Sequence, residues 1–438
     1  MKMNITFKIK KTARSGLNRP ISILAVILLA LILSAEGARA QPVITLPDEP
    51  PAQKPIERPS FLQLPRETQI ENPLSGAQSA SSTALGGYGE LTVNSPSNGP
   101  TIVDLRRLVL YVGHNFTDRF RLYSEFEMEH AVTSSTDRGE FEVEQAFLDY
   151  LAWKWLNFRA GVIIMPVGII NVYHEPPTFN GVDRPETDDV IIPTTWREPG
   201  AGVFGGWRSL RWQLYAVNGF DAKGFTASAG LRDGHQEAQL ALGHDWGVVA
   251  RVDWAPLIGT DTGVSFYRAN ADQNQDVFKG SEGSTVPVTI VEADARGRWR
   301  GLEGRFEIAS VWIGGARRLN RALATQAILT NEPFDGPVGY QLLGAYVELG
   351  YDVLHEVRMN RRVQLVAFGR YEHVDTQLDL GPGLSRTPGN KRDLFTVGLT
   401  FRPLAEIALK LDYQRIWSDA PAPDDTVDKF NAGLAFMF

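Results

Sequence analysis

The chain ends in Asp428-Lys429-Phe430-Asn431-Ala432-Gly433-Leu434-Ala435-Phe436-Met437-Phe438. Counted back in twos, Phe438, Phe436, Leu434, Ala432 and Phe430 fall on one face, and Met437, Ala435, Gly433, Asn431 and Lys429 on the other. A strand that alternates in this way has one face suited to lipid and one suited to water. A soluble sandwich can also end in such a strand, so the rest of the sequence must decide.

The opposite end carries Lys8, Lys10, Lys11, Arg14 and Arg19, an apolar run from Ile21 to Leu33, and Ala38-Arg39-Ala40 before Gln41. A basic region, a short hydrophobic core and a small-x-small site in that order form a secretory signal. The apolar run is short against the ~20 residues of a spanning helix. Residues 1–40 are therefore expected to be a signal peptide, with the mature chain exported. The sequence has no Cys, so no disulfide framework holds an exported fold, and stability must come from burial or from hydrogen-bonded closure. The hydrophobic fraction of 43% is ordinary for a soluble protein. A membrane barrel hides its lipid-facing half in alternating strands, however, so hydropathy does not discriminate and periodicity does.

Residues 41–84 hold Pro42, Pro47, Pro50, Pro51, Pro55, Pro59 and Pro65 among Ser, Gln and Glu. Proline at this density blocks helix and strand ladders, which predicts a flexible periplasmic leader. From Leu85 to Phe438 the chain divides into short two-faced runs. In Phe120 to Glu129, Phe120, Leu122, Ser124, Phe126 and Met128 alternate with Arg121, Tyr123, Glu125, Glu127 and Glu129. That period of two is not helical. The same parity turns Arg159, Arg211, Arg251, Arg305, Lys410 and Asp412 inward from their own runs. Strands are expected to start near residues 85, 103, 119, 141, 156, 199, 210, 247, 263, 287, 301, 339, 362, 392, 405 and 428. Sixteen is an even number, as a single-chain bacterial barrel with both ends in the periplasm requires. Asn218 to Trp246, Gly314 to Val338 and Asp375 to Lys391 then form long outer connections. At Asp104 to Val112 the adjacent Arg106 and Arg107 break the parity, and one of them is expected to leave the lumen or lie at its rim. Trp207, Trp212, Trp254, Trp299, Trp312, Tyr351, Tyr413 and Trp417 fall near strand ends, where interfacial girdles form.

The third outer connection, Met165 to Pro199, exceeds thirty residues and includes His174-Glu175-Pro176-Pro177 and Pro193-Thr194-Thr195-Trp196-Arg197-Glu198. A loop of this length with no secondary structure of its own is either functional or disordered, and its density of Pro, aromatic and charged residues points to an ordered one. Together with Gly161-Val162-Ile163-Ile164-Met165-Pro166-Val167-Gly168, Tyr215-Ala216-Val217-Asn218-Gly219-Phe220 and Arg370-Tyr371-Glu372, these fragments resemble the phosphate-selective porin O and P family. Asn431, Gly433, Phe436 and Phe438 also resemble the terminal insertion signal that the barrel-assembly machinery reads. The resemblance implies an all-β, sixteen-stranded outer-membrane barrel, commonly a homotrimer, with loop three folded inward as the constriction. It implies contact with outer-membrane lipid and lipopolysaccharide, and passage of small ions or solutes.

Anion-selective pores line their constriction with Arg and Lys. From Ile170 to Glu198, six acids (Glu175, Asp183, Glu186, Asp188, Asp189 and Glu198) face two bases (Arg184 and Arg197), a balance of minus four. Without residues 1–40 the chain keeps 37 bases against 50 acids. Both figures argue against phosphate selectivity and against a nucleic-acid partner. The candidate constriction residues are His174, Glu175, Asp183, Arg184, Asp188, Asp189, Arg197 and Glu198. The candidate wall residues are Arg121, Glu125, Glu127, Arg159, Arg211, Arg251, Arg305, Arg370 and Glu372, whose arginines could form a basic strip facing the loop. None of His114, His130, His174, His235, His244, His355 and His373 stands in a nucleophile or metal motif. His174-Glu175 beside Asp183 could hold a metal, but hydrogen bonding within the loop is the preferred reading. The expected function is passive diffusion of small hydrophilic solutes or ions, with no cofactor. The alternatives are a substrate-specific uptake channel, an outer-membrane enzyme, or a soluble secreted β-protein.

Overall fold

The computed structural model describes residues 82–131, 139–280, 285–331, 333–357 and 363–438. The expected signal peptide and nearly all of the Pro-rich leader lie outside the described residues. Sixteen strands follow one another: β1 Ser82–Pro96, β2 Ile102–Asn115, β3 Phe120–Glu129, β4 Phe141–Trp153, β5 Leu156–Ile164, β6 Arg197–Trp207, β7 Leu210–Asn218 and β8 Trp246–Trp254 complete the first half. The second half is β9 Thr260–Asn270, β10 Pro287–Trp299, β11 Leu302–Ile313, β12 Gln341–Asp352, β13 Gln364–Asp379, β14 Lys391–Leu404, β15 Ile407–Ser418 and β16 Thr426–Met437. Each strand pairs with its neighbours in sequence, and β16 returns to β1, closing the barrel.

The closing seam runs from Tyr88↔Met437 to Pro96↔Lys429. The terminal residue is tied in as well: Gly87 N donates to Phe438 O at 3.1 Å, and Phe438 N donates to Gly87 O at 2.9 Å. Closure leaves no unpaired strand edge, which is the condition for crossing lipid with strands. Within β16, Phe430 and Leu434 face out while Asn431 and Ala435 are buried inside. On β12, Val347 and Leu349 are 44% and 66% exposed, whereas Glu348 between them is 3% exposed. The apolar face is therefore outside and the charged face inside, opposite to the arrangement in a soluble sandwich. At the end carrying the short turns, Trp153, Trp155, Trp207, Trp254 and Trp299 are all more than half exposed, forming an aromatic belt. Arg208 and Arg300 stack on Trp207 and Trp299 there.

Two expectations need correction. Arg106 and Arg107 both face the lumen. The register places Glu90 opposite Arg107 and Leu91 opposite Leu105, so Arg106 is the extra residue of a β-bulge. The bulge rotates the chain by one position, and Arg106 reaches Asp183 while Arg107 reaches Glu90 and Glu127. Next, β13 continues to Asp379, five residues into the expected outer connection. Its polar end reads as loop, but other loops cover it: Thr376 donates to Ala227 O and Gln377 to Pro337 O. The outer connection after β11 also has regular structure of its own. Residues 316–330 form a helix that buries Leu319, Ala322 and Leu323 at helical spacing.

Candidate functional site

The connection between β5 and β6, residues 165–196, lies inside the barrel. Three short turns give it shape, an α turn at Ile169–Val172, a 3-10 turn at Pro176–Thr178 and a π turn at Thr187–Ile191. These turns correct the expectation of a loop without secondary structure. Gly168 starts the inward turn at φ 81°, and a Cβ there would stand 2.5 Å from the Glu307 carboxylate. The freed approach lets Ile169 N donate to Glu307 Oε2 at 3.1 Å. Trp196 anchors the return end: it is fully buried, with ring centroids 4.6 Å from Phe220 and 4.8 Å from Tyr267.

Along its length the connection is bonded to one side of the wall. Asp183 takes hydrogen bonds from Asn94 on β1 and an ion pair from Arg106 on β2. Val182 N donates to Asp412 on β15 at 2.6 Å, and Glu186 N to Glu372 on β13 at 2.7 Å. Asn180 bridges Glu303 on β11, Glu348 on β12 and Arg402 on β14. Arg305 donates to Thr178 O at 2.6 Å. Arg296 lies over the Tyr173 ring and Lys410 over the Phe179 ring, each at 3.8 Å. Strands β10 to β16, β1 and β2 are thus filled from within. Asp183 is held below the usual carboxylate range: burial works against its charge, but Arg106, with Lys429 and Asn94, outweighs it.

The opposite arc, β3 to β8, keeps its space. A cavity of about 1060 Å³ opens at the end with the short turns, lined by Arg119, Arg121, Lys154, Arg159 and Arg211 against Asp118, Asp149 and Asp253. It leads into a smaller space of about 60 Å³ bordered by Glu125, Gln145, His174 and Glu175, and the two share Tyr123, Phe147, Arg159 and Gln213 as lining. The wide part is net positive, and the narrow part sets Glu125 and Glu175 against Arg159 and His174.

The sequence candidates therefore separate into groups. Arg121, Arg159 and Arg211 border the cavity, with Arg159 held by Asp149 at 2.7 and 2.8 Å. Glu125, His174 and Glu175 border the narrow part. Arg251 is fully buried among Asp253, Glu292 and Asp294. Arg370 is equally buried, pairing with Glu372 and Glu348. Glu127 pairs with Arg107. Most of the loop's acids are also occupied: Glu186 pairs with Arg392, Asp189 with Arg232, and Glu198 accepts from Gln236 N. Arg197 pairs with Glu142 and Glu237, Arg184 donates to His174 O, and Asp188 is buried beneath the loop. Three of the loop's six acids are therefore paired with cations elsewhere before they can face a solute.

Sequence reasoning missed Tyr88, Glu144 and Gln145, while Gln213 was read as inward. Glu144 lies on the same inward parity as Glu142, and that period was the available signal. His174 meets Glu144 and Glu125 at 3.5 and 3.7 Å, while Asp183 is bound elsewhere. Burial favours the neutral ring of His174, but Glu144, Glu125 and Glu175 outweigh it and raise its pKa to about 9.

A comparison with known protein families finds none that matches. A protein of Aquifex aeolicus, described as uncharacterized, is 32% identical over 360 residues, 81% of this chain and 80% of that one. The chain belongs to the family of that Aquifex protein. Among solved structures it superposes on the outer membrane channel DcaP of Acinetobacter baumannii with a TM-score of 0.52 at 10% identity, covering 83% of this chain and 99% of that one. An anion-selective porin from Comamonas acidovorans gives 0.50 at 9%, covering 82% and 100%. At such identities the likeness establishes the shared sixteen-stranded fold.

Proposed function

We propose that the protein is an outer-membrane channel for passive diffusion of small hydrophilic solutes and ions, constricted by residues 165–196. The carrying observation is the pair of adjoining spaces along β3 to β8, wide at one end and narrow beside Glu125, His174 and Glu175, while residues 165–196 are bonded to the opposite wall. The narrow part has room for about two waters, so ions and very small solutes are the permeants. At the narrowest point Glu125 and Glu175 stand against Arg159 and His174, and the tightest ring dominates selectivity. Those four charges balance, and Glu144 on His174 and Asp149 on Arg159 tip the sum to the acids, so a modest cation preference follows.

A second reading comes from the wide part, where five cationic side chains face three acidic ones. That surplus favours anions entering from the turn end and fits the resemblance to the phosphate-selective porin O and P family. Planar-bilayer recording of the purified mature chain under a salt gradient decides between them. Stable small conductance with a cation-side reversal potential supports the first reading. Anion preference with block by added phosphate supports the second, and absence of conductance removes both. Export by residues 1–40, a periplasmic role for residues 41–81, insertion through the barrel-assembly machinery by Asn431, Gly433, Phe436 and Phe438, contact with lipopolysaccharide, and homotrimer formation complete the proposal. Cross-linking in native membranes tests the last.

A further inference from the structure

We infer that Glu125, Glu144 and His174 form a binding site for one divalent transition-metal ion that ties the inward loop to β3 and β4. Glu125 and Glu144 come from adjacent strands and His174 from the loop, and one ligand atom of each lies within 4.8 Å of the other two. His174 Nε2 stands 3.5 Å from Glu144 Oε1 and 3.7 Å from Glu125 Oε1. Ligands about 2.1 Å from a tetrahedral ion stand about 3.4 Å apart, so these separations match the edges of a zinc-type site.

The surroundings prepare the same three atoms. His174 Nδ1 lies 3.3 Å from Asn171 O, the backbone partner that turns Nε2 into the ligating nitrogen. Tyr88 OH donates to Glu144 Oε2 at 3.2 Å, and Gln145 Nε2 to Glu125 Oε2 at 2.5 Å. Each outer oxygen is thus held and each inner one faces the ring. His174 is 4% exposed and Glu144 0%, yet His174 Nε2 and Glu144 Oε1 make no hydrogen bond among the described residues. A lone pair cannot rest beside two carboxylates unless a second proton or a metal ion lies between them. The imidazole and carboxylate set suits zinc or cobalt, and the small space beside Glu125 and His174 admits the ion and a fourth, water, ligand.

The test uses the full-length protein in detergent micelles, stripped with chelator and titrated with Zn²⁺ by calorimetry and with Co²⁺ by visible absorption. It needs no conductance, so its outcome is separate from that of the channel reading. The expected result is one saturable site per chain with a tetrahedral cobalt spectrum. His174→Ala and Glu144→Gln should each weaken Zn²⁺ binding at least tenfold, and Tyr88→Phe about tenfold by releasing the outer oxygen. His355→Ala, in a turn far from the site, should leave it unchanged. Heat-modifiable migration checks that each variant is folded, and Tyr88→Phe carries the test should the others fail to fold. No saturable Zn²⁺ binding by the wild type would overturn the inference and leave a proton on His174. Wild-type affinity in every folded variant would overturn it as well.

Discussion

The two sides of the lumen use the same residue types for different purposes. On β10 to β16, β1 and β2, inward arginines are paired, buried and bonded to residues 165–196. On β3 to β7, Arg121, Arg159 and Arg211 border open space, whereas Arg251 on β8 is closed in by Asp253, Glu292 and Asp294. A period-two pattern puts a charge inside the barrel on either side, but only the path of the loop decides whether water reaches it. A lumen-facing arginine is therefore not by itself a pore residue.

The largest effect expected from this contrast is at Arg251, which sits beside Asp253, Glu292 and Asp294 with no exposure. Arg251→Met leaves three buried acids uncompensated and should cost about 3–5 kcal/mol in urea unfolding from vesicles. Arg121→Met, on the open arc, should cost under about 0.5 kcal/mol and instead change conductance. Equal costs at the two positions would erase the distinction.

Trp196→Ala removes the ring that anchors the loop's return end and should cost about 3–4 kcal/mol, with larger and noisier single-channel currents as the loop loosens. A destabilised barrel with unchanged currents would show that this anchor does not set the aperture.

Asp183→Asn should cost about 1–3 kcal/mol of loop attachment, read as faster protease cleavage within residues 165–196, because Arg106 loses its charged partner. The pH dependence has a definite sign. The folded pKa of Asp183 is depressed by Arg106, with Lys429 adding and burial and the nearby Asp412 opposing. Its contribution is complete above the unfolded value of about 3.9 and is lost as pH falls through the lower folded value. Loop protection in wild type should therefore fall below about pH 4, and Asp183→Asn should lack that step. Glu175→Gln is the smallest change, with stability within about 0.5 kcal/mol and a reversal potential shifted toward anions.

Strand number and order were legible because a closed barrel imposes one rule, the period of two, on every segment. β9 begins at Thr260, three residues before the expected 263, and β4, β5, β7 and β10 begin at the expected residues. Parity also placed Arg159, Arg211, Arg251 and Arg305 on the inner face. It did not reveal the bulge at Arg106, because an extra residue is visible only in the register with β1. It did not join Glu144 to His174, since contact across the lumen depends on where a loop turns inward, and Gly168 sets that turn. The charge of the loop misled as a sum, because three of its six acids, Asp183, Glu186 and Asp189, have cationic partners on distant strands or loops.

Substituted-cysteine accessibility in conducting channels tests the central claim most directly, since the chain has no Cys of its own. Gln213→Cys lies on the open arc, and Gln414→Cys is buried on the filled side. With a charged methanethiosulfonate reagent, Gln213→Cys should lose current within seconds while Gln414→Cys stays unmodified. Block at Gln414→Cys with none at Gln213→Cys would place the path on the other side and contradict the account.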